Sequence, residues 1–188
     1  MHVLKAWNNI CVFSTMKKIL PILFAITVIV AGCGTVQSII KSTFPYTATI
    51  VIPASSKSNT PISAKSAATS FDDVFGNKNG TNYIKEIRIA SAKMIASNPS
   101  NKSLGMFKSV KLFVSNSNGD EVMVASRSDI QENIGSDLAL DIDNSKFLDD
   151  YIKGTSLSVR IEYVLRNNTT SDVSIRTSIG FTSSPKAQ

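Results

Sequence analysis

The sequence predicts an all-β protein: an antiparallel β-sandwich of immunoglobulin-like or jelly-roll type, with seven to eight strands and one short helix. Three observations carry this. Short segments alternate apolar and polar residues with period two, and turn residues separate them. No segment keeps a helical period long enough for the crossovers that a parallel sheet requires. Charged residues make up only 18% of the chain against 43% hydrophobic, with Ser, Thr and Asn filling the difference, which suits half-solvated pleated surfaces better than helices.

Phe44–Pro53 reads as the first strand, with Tyr46, Ala48, Ile50 and Ile52 on one face and Thr47, Thr49 and Val51 on the other. Ala54–Ser70 is rich in Ser, Ala, Lys and Thr and reads as a loop with an edge strand around Ile62–Lys65. Phe71–Phe75 reads as one helical turn ended by Gly76. Ile84–Ala96 changes phase: Ile87 and Ile89 share one face, whereas Ala90, Ala92 and Met94 fall on the other. A bulge near Ala90 reconciles the two halves, and Asn98-Pro99 ends the strand.

Ser109–Ser115 and Glu121–Ser126 flank Asn118-Gly119, a strong hairpin signal. A two-residue loop would set Val114 opposite Met123; a three-residue loop opposite Val124 is expected instead, because it aligns the valine rows. Leu138, Leu140 and Ile142 mark one further strand. Asn144 or Ser145 is expected to cap a short helix carrying Phe147, Leu148, Tyr151 and Ile152, closed by Gly154. At the end of the chain, Leu157, Val159, Ile161, Tyr163 and Leu165 share a face, as do Val173, Ile175, Thr177, Ile179 and Phe181. A hairpin centred on Thr169 aligns both rows. It also sets Glu162 opposite Arg176 and Arg166 opposite Asp172, pairs of opposite charge that favour such a register.

The N-terminal region reads differently. Lys17 and Lys18 precede a thirteen-residue apolar run, Ile19–Ala31, interrupted only by Pro21 and Thr27. A spanning helix wants about 20 apolar residues, whereas a charged start, a short apolar centre and small residues at the end describe a secretory signal. Val30-Ala31-Gly32-Cys33 resembles the lipobox of bacterial lipoprotein signal peptides. The resemblance implies cleavage between Gly32 and Cys33, a diacylglycerol on the Cys33 sulfur and an N-acyl chain on the new terminus. A thiolate is the natural nucleophile for that thioether, and two or more acyl chains anchor stably where one is marginal.

The expected organisation is therefore a non-native extension over residues 1–15, a signal peptide over 16–32, a tether over 33–43 and a sandwich domain over 44–188. Met106–Ser126 and the strand layout over Ile84–Thr182 also resemble small β-sandwich lipoproteins of Bacteroidota-type bacteria, a likeness that implies no active site. Gly34 after the lipidated Cys, by the same resemblance, implies an outer-membrane destination. No acidic cluster follows within Gly34–Lys41, which favours the periplasmic side over the cell surface.

Composition excludes several chemistries. Three of the 20 basic residues (Lys5, Lys17 and Lys18) and none of the acidic ones precede Cys33, leaving 17 basic against 14 acidic residues, scattered singly. No basic run or aromatic row supports nucleic-acid binding. His2, Trp7 and Cys11 all lie in the removed segment. The mature chain would hold no His and no free thiol, so Ser–His–Asp and Cys–His catalysis and His- or Cys-based metal centres are excluded.

The remaining candidates weigh little. Ser38 and Lys41 are spaced as in serine acyl-enzymes, but their companion motifs are missing and a tether cannot hold a nucleophile in place. Phe75–Glu86 partly matches a calcium loop through Asn77, Asn79, Gly80 and Glu86, yet Phe75 stands where Asp is required. Asp141 and Asp143 point the same way on a strand, with Asp149 and Asp150 following, an oxygen-rich corner of the sort calcium uses. Outward carboxylates more often only solubilise, so no metal is expected. The expected function is a lipid-anchored envelope module that binds or assembles with a protein or glycan partner and has no catalytic residue and no cofactor. The alternative is an anchored hydrolase that cleaves envelope glycan with carboxylates, and it lacks most of its parts.

Overall fold

A computed structural model of the chain describes residues 42–72, 80–154 and 156–186. The described residues form nine strands: β1 (Ser42–Ile52), β2 (Pro61–Lys65), β3 (Ile84–Asn98), β4 (Phe107–Ser115), β5 (Glu121–Arg127), β6 (Asp137–Ala139), β7 (Asp141–Ile142), β8 (Ser158–Leu165) and β9 (Val173–Pro185). One four-residue helix, α1, spans Asp149–Ile152. All strand pairs are antiparallel. They form a four-stranded sheet in the order β1-β9-β3-β6 and a five-stranded sheet in the order β2-β8-β4-β5-β7. The fold is an all-β sandwich, as the alternation predicts.

The core lies between the sheets. Tyr46, Ala48, Ile50 and Ile52 of β1 are buried while Thr47, Thr49 and Val51 are exposed. The phase change in β3 is a register shift between Ile89, opposite Phe181, and Ser91, opposite Gly180, which leaves Ala90 as the extra residue. That bulge lets Ile87 and Ile89 face the same core as Ala92 and Met94. Phe71 packs edge-on to Phe181 at 5.3 Å, and Phe107 edge-on to Tyr163 at 5.5 Å.

Four expectations need correction. The first is the terminal hairpin: β8 pairs with β2 and β4, and β9 with β1 and β3, so the two rows face each other across the core instead of lying side by side. Period two cannot separate these arrangements, since both bury the same residues. The polar residues of the connection decide it by binding the neighbouring arch from β1 to β2. Thr169 Oγ1 donates to the Pro53 carbonyl at 2.6 Å and its N–H to that of Ser56 at 3.1 Å. Asp172 accepts the Ala54 N–H and Asn168 the Ser58 N–H, each at 2.8 Å. Glu162 consequently pairs with Lys111 at 2.9 Å, and Arg166 donates to the carbonyls of Gly105 and Ile130.

The second correction is the β4–β5 register, which sets Val114 opposite Val122. The Asn116 side chain accepts the N–H groups of Asn118 and Asp120, both at 3.0 Å, and Gly119 takes a φ of 89°. This pulls the loop back onto Ser117-Asn118-Gly119. A shift after Leu112 then keeps both Val122 and Val124 buried.

Third, the segment 138–142 is two strands, not one. β6 pairs with β3 in one sheet and β7 with β5 in the other. The chain crosses at Leu140, which is buried and donates its N–H to Ala92 at 2.9 Å. Fourth, α1 begins behind Leu148 with no side-chain cap. Asn144 and Ser145 instead offer their carbonyls to the Arg88 guanidinium. Phe71 and Asp72 sit in a short 3-10 turn, and the expected continuation through Phe75 and Gly76 lies outside the described residues.

Candidate functional site

The lipidation and cleavage residues Cys33 and Gly32 lie outside the described residues, as do Ser38, Lys41, Asn77 and Asn79. The described chain opens with β1 at Ser42, so Ser42 and Thr43 belong to the strand. Among the described residues no helix is long and apolar enough to cross a membrane.

Glu86, the last residue of the calcium-like stretch, has a φ of 56°. Its carboxyl is held below the ordinary range by a hydrogen bond from the Ser184 side chain and by Lys85 at 3.3 Å. It serves the junction of β3 with β9.

The acidic corner is dispersed. Asp141 is largely exposed and meets Arg127 at 3.1 Å. Asp143 accepts the hydroxyl and the N–H of Ser145 at 2.5 and 3.1 Å, which lowers its pKa, and Lys146 adds a weaker attraction. Asp149 accepts the Ile87 N–H at 2.9 Å and the Lys153 ammonium at 2.7 Å, fastening α1 to the bulged strand β3. Asp150 faces a polar depression of about 470 Å³ lined by Asn116, Asn118, Asp120, Glu121 and Tyr151. Among the described residues, no three His, Cys, Asp or Glu side chains are grouped to hold a metal ion.

The depression is a structural junction. Asn116 donates to Asp120 at 3.1 Å and to the Asp150 carbonyl at 3.3 Å. Glu121 receives two bonds from Arg160, at 2.9 and 2.6 Å, and the Arg160 guanidinium lies 4.0 Å above the Phe113 ring. These bonds lower the Glu121 pKa and raise that of Arg160. An acid–base pair that cleaves glycosidic bonds needs one carboxyl raised toward neutrality. Glu86, Asp143 and Glu121 are all displaced the other way.

The tyrosines form no platform: Tyr46 and Tyr163 are buried, Tyr151 is half-buried and Tyr83 stands exposed. Burial raises the pKa of both core tyrosines. Their hydroxyls bond Thr69 at 2.5 Å and Ser56 at 3.2 Å.

What the sequence could not reveal is which strands lie at the edges. β1 and β2 bound one side of the sandwich, β6 and β7 the other. On the second side Leu140 carries the chain between the sheets, whereas among the described strands only β9 pairs with β1, on one of its two flanks. Compared with protein-family models and with curated proteins, the chain gives no match.

Proposed function

We propose that the protein is a lipid-anchored β-sandwich of the bacterial cell envelope, tethered through Cys33 and acting as a binding or assembly module without catalysis. The observation that carries this is Val30-Ala31-Gly32-Cys33 at the end of a short apolar run, a few residues ahead of the strand that opens the sandwich. The outer membrane, facing the periplasm, is the location the resemblance favours. Two features support binding over hydrolysis. Asp120, Glu121 and Asp149 are engaged in scaffold hydrogen bonds, with Glu121 also held at low pKa, and the long flank of β1 that no other described strand covers leaves backbone groups for a partner. The partner is an envelope protein or glycan, reached through that flank or through the loops.

The test is to express the full chain and its Cys33→Ser variant, separate membrane from soluble fractions, and recover bound molecules from the detergent-extracted protein. The wild-type chain should pellet with membranes and carry a specific companion, while Cys33→Ser should lose the acyl chains and keep Lys17 and Lys18. Equal lipid content in the two chains would overturn the anchor, and release of sugars from envelope glycan would overturn the non-catalytic assignment.

A further inference from the structure

An uncapped sheet edge is a template for another strand, and proteins guard such edges with short strands, prolines and charges. Three of the four edges here are guarded. β2 has five residues, begins with Pro61 and ends with Lys65. β6 and β7 have three and two residues, and the chain itself crosses between them at Leu140. β1 is guarded only near one end, by Pro45, and the stretch Tyr46–Ile52 carries neither proline nor charge. The strand runs eleven residues without a single charge, and its outward residues after Pro45, namely Thr47, Thr49 and Val51, are all β-branched. Val51 is 47% exposed, one of three large apolar side chains left in solvent among the described residues.

We propose that β1 pairs antiparallel with β1 of a second copy of this chain, about a two-fold axis at Thr49, joining two four-stranded sheets into one. Two prolines set the register. Pro45 and Pro53 lack a backbone donor and bracket Tyr46–Ile52, whose middle residue is Thr49. With Thr49 on the axis, Pro45 falls opposite Pro53 of the second copy, so the pairing stops at both ends where the donors stop. Thr47 then covers the exposed Val51 of the other copy, and Thr49 meets Thr49, a favoured cross-strand pair. On the inner face, Tyr46 meets Ile52 and Ala48 meets Ile50, extending the buried row.

Charge does not oppose the contact. The nearest charged neighbour in the register is Arg176 on β9, opposite Thr49. The two Arg176 residues would stand three strand spacings apart, about 14 Å, beyond the Debye length of about 8 Å at physiological salt. Such an interface is small beside the roughly 1,200–2,000 Å² of stable complexes. It therefore depends on confinement and rests on the anchor reading. A tether the length of Gly34–Lys41 spans at most about 28 Å, and holding two domains that close to one membrane raises their effective concentration.

The full chain is placed in bacterial membranes as Thr49→Cys, with Arg176→Cys as the off-axis control, and treated with a short thiol-to-thiol cross-linker. Thr49→Cys should give a cross-linked dimer several-fold above both Arg176→Cys and the wild-type background from Cys11 and Cys33. Mixed Thr47→Cys and Val51→Cys chains should cross-link with each other, and adding Thr49→Lys to both should abolish it by setting two like charges on the axis. Circular dichroism checks that the variants keep the wild-type strand signal. Cross-linking of Thr49→Cys no greater than of Arg176→Cys overturns the pairing. The mass of Cys33 in the same sample separates the two readings. A lipidated Cys33 without the cross-link removes only the pairing, and a cross-link with bare Cys33 removes the anchor and the dependence on confinement while leaving the edge contact itself.

Discussion

Thr177 is the buried residue whose replacement discriminates most between burial and bonding. It lies fully buried on β9 between Ile175 and Ile179, opposite Ala48 of β1 and Met94 of β3. Its hydroxyl has no hydrogen-bond partner among the described residues. An unpaired hydroxyl taken out of water costs about 1–3 kcal/mol. Valine has nearly the same shape and carries a methyl where threonine carries that hydroxyl. Thr177→Val should therefore stabilise the protein by about 1–2 kcal/mol, a rise in Tm of roughly 2–8 °C for a domain of this size. Thr177→Ser should do the reverse, by about 1 kcal/mol, because it removes a buried methyl and keeps the unpaired oxygen. Urea unfolding followed by far-ultraviolet circular dichroism measures both, with the midpoint moving and the slope unchanged. A lower midpoint for Thr177→Val than for wild type would show that the hydroxyl is hydrogen-bonded and overturn this reasoning.

Three further outcomes follow from the same contacts. A Cβ on Gly105 would approach the Glu132 backbone closer than 3.0 Å, so Gly105→Ala should cost about 3 kcal/mol by urea unfolding. Glu121 has its folded-state pKa depressed by Arg160, so its contribution is complete above the ordinary glutamate value and disappears as pH falls through the depressed one. Glu121→Gln should flatten that acid decline and, because the pair is partly exposed, cost only about 0.5–1 kcal/mol at neutral pH. In the acidic corner, Asp149→Ala should cost about 1–2 kcal/mol by freeing the Ile87 N–H and Lys153, whereas Asp141→Ala should cost less than about 0.5 kcal/mol. A calcium-dependent rise in Tm lost in both variants would show instead that the corner binds metal.

Period and phase made individual strands legible. The inward rows of β1, β8 and β9 and the bulge at Ala90 follow from alternation alone, because only one face of each strand can be apolar. Partnership between strands was less legible. The apolar rows of β8 and β9 fit a hairpin and a face-to-face arch equally well. The deciding bonds, from Thr169 to Pro53 and from Ala54 to Asp172, join residues more than a hundred positions apart. The split at Leu140 was hidden for a related reason: a buried residue between two short strands keeps the alternation while the backbone changes sheets. The acidic corner looked like a site because alternation brings Asp141 and Asp143 to one face, but nothing local showed that Asp149 serves Ile87. The exposed flank of β1 became visible only once the strand order was known, although Pro45 and Pro53 had marked its limits.

Whether lipid on Cys33 holds this sandwich to a membrane is read from the mass of the full chain extracted from membranes. The expected species has its N-terminus at Cys33, with the mass increased by a diacylglycerol thioether and an amide-linked acyl chain. A chain that keeps Lys17 and Lys18 and carries an unmodified Cys33 would contradict the lipid anchor.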